Sequence, residues 1–518
     1  MSSYVVIMKG DGLMNKNLEV DVIVIGGGAS GITAAVAAAE KNASVIVLEK
    51  GSTTGGAANM GMGIFAVESK YQKAQLIDFS KEDAFNLLMN YTHWRVDARL
   101  VRKYIEQSSD TIDWLETMGV EFLGAYKYFE KSTQTWHVVK TKGSNVPAER
   151  AASNMFRALT ERAEELGVQI MYNTKATKIL EEDGYVTGVE FIGADGEKIT
   201  AQCNAVIVST GGFGDNPKMI SDILGYEWGK DLHSFRIPGV QGEGLKMLWE
   251  VGAGKTVPTM ELTFTTPGVT DVFKTISETM RQPNLMVNLD GNRFINEEIM
   301  SNTVYTGNAI ARQRERMAFT IIDDSILETY RKTGLDYVTV HHNIKTVDKW
   351  EKELSQYING EESEASGLSE LHNDNQKHQV NVCAADTLEE LCELTGINLK
   401  NLKVTIDEYN TGCTEADEMF FKKHKYMKAL KKGKYYAARH YPAGYGSLGG
   451  VDTNDKMEVL DPSGIKINGL YASGTDACNI YGDSYCFFLP GNTMSFAINS
   501  GRTAGYNAIE YMDSDEFV

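Results

Sequence analysis

Residues 20–49, VDVIVIGGGASGITAAVAAAEKNASVIVLE, constrain this chain more than any other stretch. Val22 to Ile25 form a β-branched run of the kind buried in parallel sheets, and the run breaks at Gly26, Gly28 and Gly31. The spacing is G-x-G-x-x-G: a tight turn, a close backbone approach to a pyrophosphate, and close helix–strand packing. A helix is expected over Ile32 to Lys41, with the first amides at Ala29, Ser30 and Gly31 facing phosphate. A second strand, Ser44 to Leu48, ends in Glu49, whose carboxylate suits a ribose hydroxyl. This βαβ unit predicts dinucleotide binding and leaves FAD and NAD undivided.

With 518 residues the chain is too long for one core, so two or more domains are expected. A net charge of -19 argues against nucleic acid as a partner. No run is long and apolar enough for a membrane span, and Met1 to Leu18 lacks the apolar core of a secretory signal, so the chain reads as cytoplasmic. Its six cysteines form no C-x-x-C pair, and no metal site is expected.

Lys50 and the small-residue loop after it, GSTTGGAANMGMG, place Lys50, Thr54, Gly55, Gly56, Ala57, Asn59, Gly61, Met62 and Gly63 beside the cofactor. Ala84 to Met118 has helical periodicity, and Tyr126 to His137 is aromatic and aperiodic, either a hairpin or a lid carrying Tyr126, Tyr128, Phe129 and Trp136. Strands at Val168 to Tyr172, Ala176 to Glu182, Val186 to Ile192 and Lys198 to Cys203 read as a meander with turns at Asp183-Gly184 and Asp195-Gly196. The strand Ala205 to Ser209 then runs into Thr210, Gly211 and Gly212, a second glycine-broken strand end. That arrangement, with Ala176 in the intervening meander, points to FAD more than to NAD alone. Asn359 to Asn381 is acidic and polar, a solvated loop. The basic run Lys422 to Lys434 reads as a solvated helix face, or as a docking surface for an electron donor.

Four further runs complete an ordered set with the first fingerprint. They are STGGFGDN at Ser209 to Asn216, GEGLKMLWEVGA at Gly242 to Ala253, GLYASGTDA at Gly469 to Ala477, and GNTMSFAINSGRTAG at Gly491 to Gly505. Together the chain resembles the fumarate reductase and succinate dehydrogenase flavoprotein family, which includes urocanate reductase and 3-ketosteroid dehydrogenases. The resemblance implies an α/β architecture: a discontinuous Rossmann-like FAD-binding domain (19–260 and 446–518) after an extension (1–18), with an inserted α+β capping domain (261–445). It brings Gly474, Asp476, Gly491, Asn492, Met494 and Ser495 to the flavin, and the helix opening at Gly491 suits negative charge on reduced flavin. It implies noncovalent FAD, because covalently linked members use a histidine where Gly51 to Phe65 has none.

Fumarate-reducing members hold two carboxylates with arginines and histidines, and the matching pocket positions here are Thr266, Ser301, Phe488, and Gly446 or Tyr445. Losing those groups disfavours a dianion and favours an apolar body. Glu278 and Arg281 match the family's E-x-x-R proton relay, or else form a surface ion pair. Tyr305 is the candidate terminal acid, with Tyr445, Tyr481 and Tyr485 as competitors. Phe487 and Gly491 keep the spacing of the ketosteroid dehydrogenases' tyrosine and glycine, with the tyrosine absent. The expected activity is reduction of an activated C=C bond, in an enone or enoate larger and more apolar than fumarate, with a steroid-like ring among the candidates. A dehydrogenase introducing a C=C bond and a flavin electron-transfer subunit are the alternatives. The expected partners are a small-molecule substrate and an external donor: NAD(P)H, reduced flavin or a redox protein.

Overall fold

The structure, a computed structural model, describes residues 18–234, 237–270, 272–339, 343–360, 380–431 and 433–514. The extension at 1–17 and nearly all of the acidic loop, 361–379, lie outside the described residues.

The apolar run at the N-terminus forms the strand Leu18–Ile25, which pairs in parallel with Val45–Leu48 on one side and Lys198–Val208 on the other. These strands belong to an eight-stranded mixed sheet that also takes Lys466–Ala472 from the far end of the chain, parallel to Lys198–Val208. The antiparallel part is Lys175–Glu182, Tyr185–Ile192 and the first half of Lys198–Val208, turning at Asp183 and Gly184 with positive φ of 53 and 83°. The first of the four strands expected in that meander lies elsewhere: Gln169–Met171 adds in parallel to Val45–Leu48. A short apolar run carries no mark of which sheet edge it joins.

The helix Ala29–Ala39 is buried along its whole length, between the sheet and the 21-residue helix Asn492–Met512. Burial on all sides explains why its sequence is alanine-rich rather than amphipathic. The contact is backbone-close: a Cβ on Gly505 would lie 2.9 Å from the Cβ of Ala37. This helix pair joins the two ends of the chain into one layer.

A second sheet of six strands is organised on the 14-residue strand Tyr435–Leu448. Thr259–Thr265 pairs antiparallel with its C-terminal half, while Ala318–Asp323 and Val382–Ala385 flank its N-terminal half. The register slips between Met260 and Leu262, whose partners are Ser447 and Gly444, so Glu261 stands opposite a bulge at Tyr445 and Gly446. Such bulges bend a strand and re-aim its side chains. A third, three-stranded sheet holds Gly63–Phe65, Trp136–Val139 and Phe122–Tyr126. The aromatic segment is therefore a hairpin, with Tyr126 paired to Trp136 and Tyr128 and Phe129 in its connecting loop.

The basic run departs from the expected helix face. It is mostly irregular, with one short turn at His424–Tyr426, and the Lys422 side chain is fully buried. Lys422 bonds to the Tyr409 hydroxyl at 2.9 Å and pairs with Glu297 at 3.2 Å. Glu297 also takes two bonds from Arg293, which forks onto Asp417 at 2.8 Å through both terminal nitrogens. A lysine inside a charge run is indistinguishable by sequence from its solvated neighbours. Only the carboxylate contributed by Glu297, more than a hundred residues earlier, makes its burial tolerable.

Candidate active site

Gly26, with φ of 98°, sits where a Cβ would lie 2.5 Å from the Ser209 carbonyl oxygen. The next glycine differs: the nearest atom to a Cβ on Gly28 is 4.0 Å away. The helix behind Gly28 has no side-chain cap, so amides of its first turn, among Ala29, Ser30 and Gly31, are left for an anion. Gly55 closes one wall, its amide bonded to the Gly27 carbonyl at 2.9 Å, and Gly56 and Ala57 stay exposed beside it. Asn59 braces this wall through the Thr54 carbonyl, and the Thr54 hydroxyl meets Thr160 at 2.6 Å. Glu49 accepts from the amides of Gly27 at 2.7 Å and Gly51 at 2.5 Å, leaving further lone pairs for a ribose. Lys50 is turned away, bonded to Glu243 at 2.9 Å and to the Gly239 carbonyl. Ala176 is buried in its strand, paired with Phe191.

The C-terminal fingerprint meets this cleft. Asp476 is buried and accepts from the amides of Thr210 at 2.5 Å and Gly212 at 2.9 Å, with Gly211 at 3.2 Å. Burial pushes its carboxyl up while those amides pull it down. Asp476 thus ties the two strand-end loops together. A Cβ on Gly474 would crowd Ser30. Gly491, with φ of 80°, opens the long helix without a side-chain cap, a second set of free amides. Asn492 and Ser495 spend their side chains inward, on Tyr481 and on the Phe65 carbonyl at 2.7 Å, whereas Thr493 and Met494 remain accessible. Met494 packs against Gly61, while Met62 and Gly63 are buried below. Two uncapped helix starts over an open glycine floor fit the pyrophosphate and the flavin ring of FAD.

Beyond the Gly491 end is an aromatic wall drawn from four parts of the chain. Tyr91 stacks on Tyr305 at 6.0 Å, and Tyr305 meets Phe488 edge-on at 5.3 Å. Phe488 lies 5.9 Å from Phe129, which lies 5.6 Å from Phe487, and Phe487 is 4.7 Å from Tyr128. The Tyr128 hydroxyl is within electrostatic range of Tyr445, Arg281 and Glu278, and burial raises its pKa. Arg281 lies over the Phe264 ring at 4.6 Å and donates to the Phe264 carbonyl. Thr266 is buried, bonded at 2.9 Å to His440, whose pKa burial lowers to about 3, with Arg281 adding to the effect. His440 is neutral at pH 7 and sits behind the pocket. Ser301 lies beside Tyr337 rather than on the wall. A Cβ on Gly446 would meet nothing within 4 Å.

One acid was not singled out from the sequence. Glu261 accepts from the Thr493 hydroxyl at 3.1 Å, and burial raises its carboxyl pKa to about 7. Tyr485, Tyr481 and Cys478 all feel its charge. The only local sign was a charge interrupting the apolar run Met260, Leu262, Phe264.

The fold and this cleft define a flavoprotein, an FAD-dependent oxidoreductase with its bound FAD supplying or taking hydride. The chain belongs to the FAD binding domain family, whose model matches residues 21–491. It is 31% identical over 510 residues to vinyl phenol reductase of Lactiplantibacillus plantarum, covering 96% of this chain and 98% of that one. It is 27% identical over 497 residues to urocanate reductase of Eggerthella lenta, covering 95% and 74%. The 3-ketosteroid-Δ4-(5α)-dehydrogenase of Rhodococcus jostii RHA1, solved with 4-androstene-3,17-dione, shares the fold at a TM-score of 0.72 and 23% identity, over 95% of this chain and 97% of that one. Among the described residues no helix is long and apolar enough to cross a membrane, and no cluster of His, Cys, Asp and Glu could hold a metal.

Proposed function

We propose that this protein reduces the C=C bond of a neutral vinyl arene of the hydroxystyrene type, using noncovalent FAD and an external electron donor. The carrying observation is the wall of Tyr91, Tyr305, Phe488, Phe129, Phe487 and Tyr128 where dianion-reducing relatives would need guanidinium groups. Phenylalanine at 488 offers a carboxylate no partner, and burying an unpaired carboxylate costs several kcal/mol. A flat arene instead gains apolar contact and edge-on ring contacts worth about 0.5–1.5 kcal/mol each. The similarity to vinyl phenol reductase, spread over nearly the full length of both chains, supports the same substrate class.

Hydride and proton must reach neighbouring carbons, and the proton is assigned to the Tyr128 cluster. Tyr128 is a weak acid in its buried setting, so it serves as a donor only where negative charge builds up on the substrate, with Arg281 beside it to stabilise the phenolate left behind. Tyr305 then serves as wall rather than as acid. Noncovalent FAD rests on the absence of histidine from Gly51 to Phe65.

The test is anaerobic reoxidation of the reduced holoenzyme by 4-vinylphenol, urocanate, a 3-keto-4-ene steroid and fumarate. Rapid reoxidation by 4-vinylphenol is expected, with fumarate roughly 100-fold slower or worse. Fumarate as the fastest oxidant would overturn the reading. Acid precipitation should release all flavin into the supernatant, and flavin retained in the pellet would disprove noncovalent binding.

A further inference from the structure

Glu261 is a carboxylate deep in the molecule that makes no ion pair among the described residues, yet it stays part-accessible. A charge placed there without a cation needs a reason. The partner strand bulges opposite that residue, at Tyr445 and Gly446, and the Gly446 side is open space. The groups that face it are Thr493 from the long helix and Cys478, Tyr481 and Tyr485 from the preceding loop. None of these is a cation, so an incoming O–H donor is what its free oxygen lacks.

Tyr128 and Tyr485, the neighbour of Glu261, both pack against one ring. Phe487 is 4.7 Å from Tyr128 and 6.0 Å from Tyr485, and Tyr485 senses Glu261. A para-substituted benzene lying along Phe487 would reach the proton donor with one substituent and Glu261 with the other. We propose that Glu261 recognises the substrate's phenolic hydroxyl and accepts its proton during reduction. This rests on the vinyl arene reading above.

The chemistry balances. As the vinyl terminal carbon takes a proton from Tyr128, the phenol O–H passes its proton to Glu261, and the substrate becomes a neutral quinone methide. FAD, when bound, would supply the hydride that the exocyclic CH carbon needs, and Glu261 would return the proton to the oxygen that gains the released electron pair. Tyr128 is reprotonated from solvent through its polar neighbours. Two electrons and two protons have been added, giving the ethylphenol. The accepting form of Glu261 is the ionised one, present above its pKa of about 7 and lost as pH falls through it.

The test is calorimetric binding of 4-ethylphenol and 4-ethylanisole to the oxidised holoenzyme, for the wild type, Glu261→Gln and Thr493→Val, with flavin content measured for each. In the wild type the phenol should bind about tenfold tighter than the anisole at pH 8, with the gap closing below about pH 7. Glu261→Gln should abolish the gap at every pH and slow reoxidation by 4-vinylphenol about 100-fold or more. Thr493→Val removes a hydrogen bond to the ionised carboxylate, so the pH at which the gap closes should move upward. A gap unchanged in Glu261→Gln, or no gap in the wild type, overturns the proposal. A lost gap with undiminished reoxidation overturns the proton-accepting role. A wild type that keeps the Glu261-dependent gap but reduces no vinyl arene would instead refute the substrate reading and leave the phenol site standing.

Discussion

Replacing Glu297 with leucine is expected to destabilise the region around the second sheet by about 3–5 kcal/mol, because it strands a buried ammonium and half of a buried guanidinium. The Glu297 and Lys422 side chains are both fully buried, and Arg293 is nearly so. Glu297 also accepts from the Met286 amide at 3.2 Å, which ties the segment to the strand Leu285–Val287. Burial, with the Arg293 and Lys428 charges, pulls the Lys422 pKa down, and Glu297 is the group that pushes it back up. The Lys422→Met, Glu297→Leu pair should therefore regain part of the loss, since apolar residues of similar volume can replace a buried ion pair at little cost. Trp350 is buried in the same core, so the urea midpoint followed by tryptophan emission checks both variants. A single variant with an unchanged midpoint would show the cluster to be dispensable. The cluster lies directly before Ser301 and the helix Thr303–Ala311 that carries Tyr305, so softening it should also loosen the aromatic wall.

The second large effect separates two glycines of one motif. Gly31→Ala should leave almost no flavin bound and lower overall stability, because its Cβ would collide with the Gly26 carbonyl oxygen and force the helix off its strand. Gly28→Ala should fold normally, since open space surrounds the new Cβ, yet bind FAD about 10- to 100-fold more weakly by occupying the pyrophosphate's approach, a loss of roughly 1.4–2.7 kcal/mol. Flavin-to-protein absorbance after gel filtration and the urea midpoint, measured together, read the two effects apart. Equal flavin loss with equal destabilisation in both variants would mean that the motif is only a packing device.

Much of this molecule was legible in one dimension. The βαβ unit at Val20 to Glu49 and the ordered later fingerprints carried the fold class and the FAD cofactor, because strand, turn and helix are short-range events with residue-type signatures. Phe488, where the family resemblance expects arginine, does lie on the aromatic wall, whereas Ser301, the other such position, lies beside Tyr337.

What the sequence alone determined, then, is the class of cofactor and the architecture around it. The tertiary structure decided which polar groups come together. Tyr128 leaves a hairpin loop to sit near Arg281 and Glu278, more than a hundred residues away, and Glu261 meets Thr493 across a still longer separation. Lys422 looks solvated until Glu297 is brought beside it. The physical reason is common to all three. A side chain's chemistry depends on desolvation and on neighbours within a few ångströms, and those neighbours are supplied by chain crossings that no local pattern encodes.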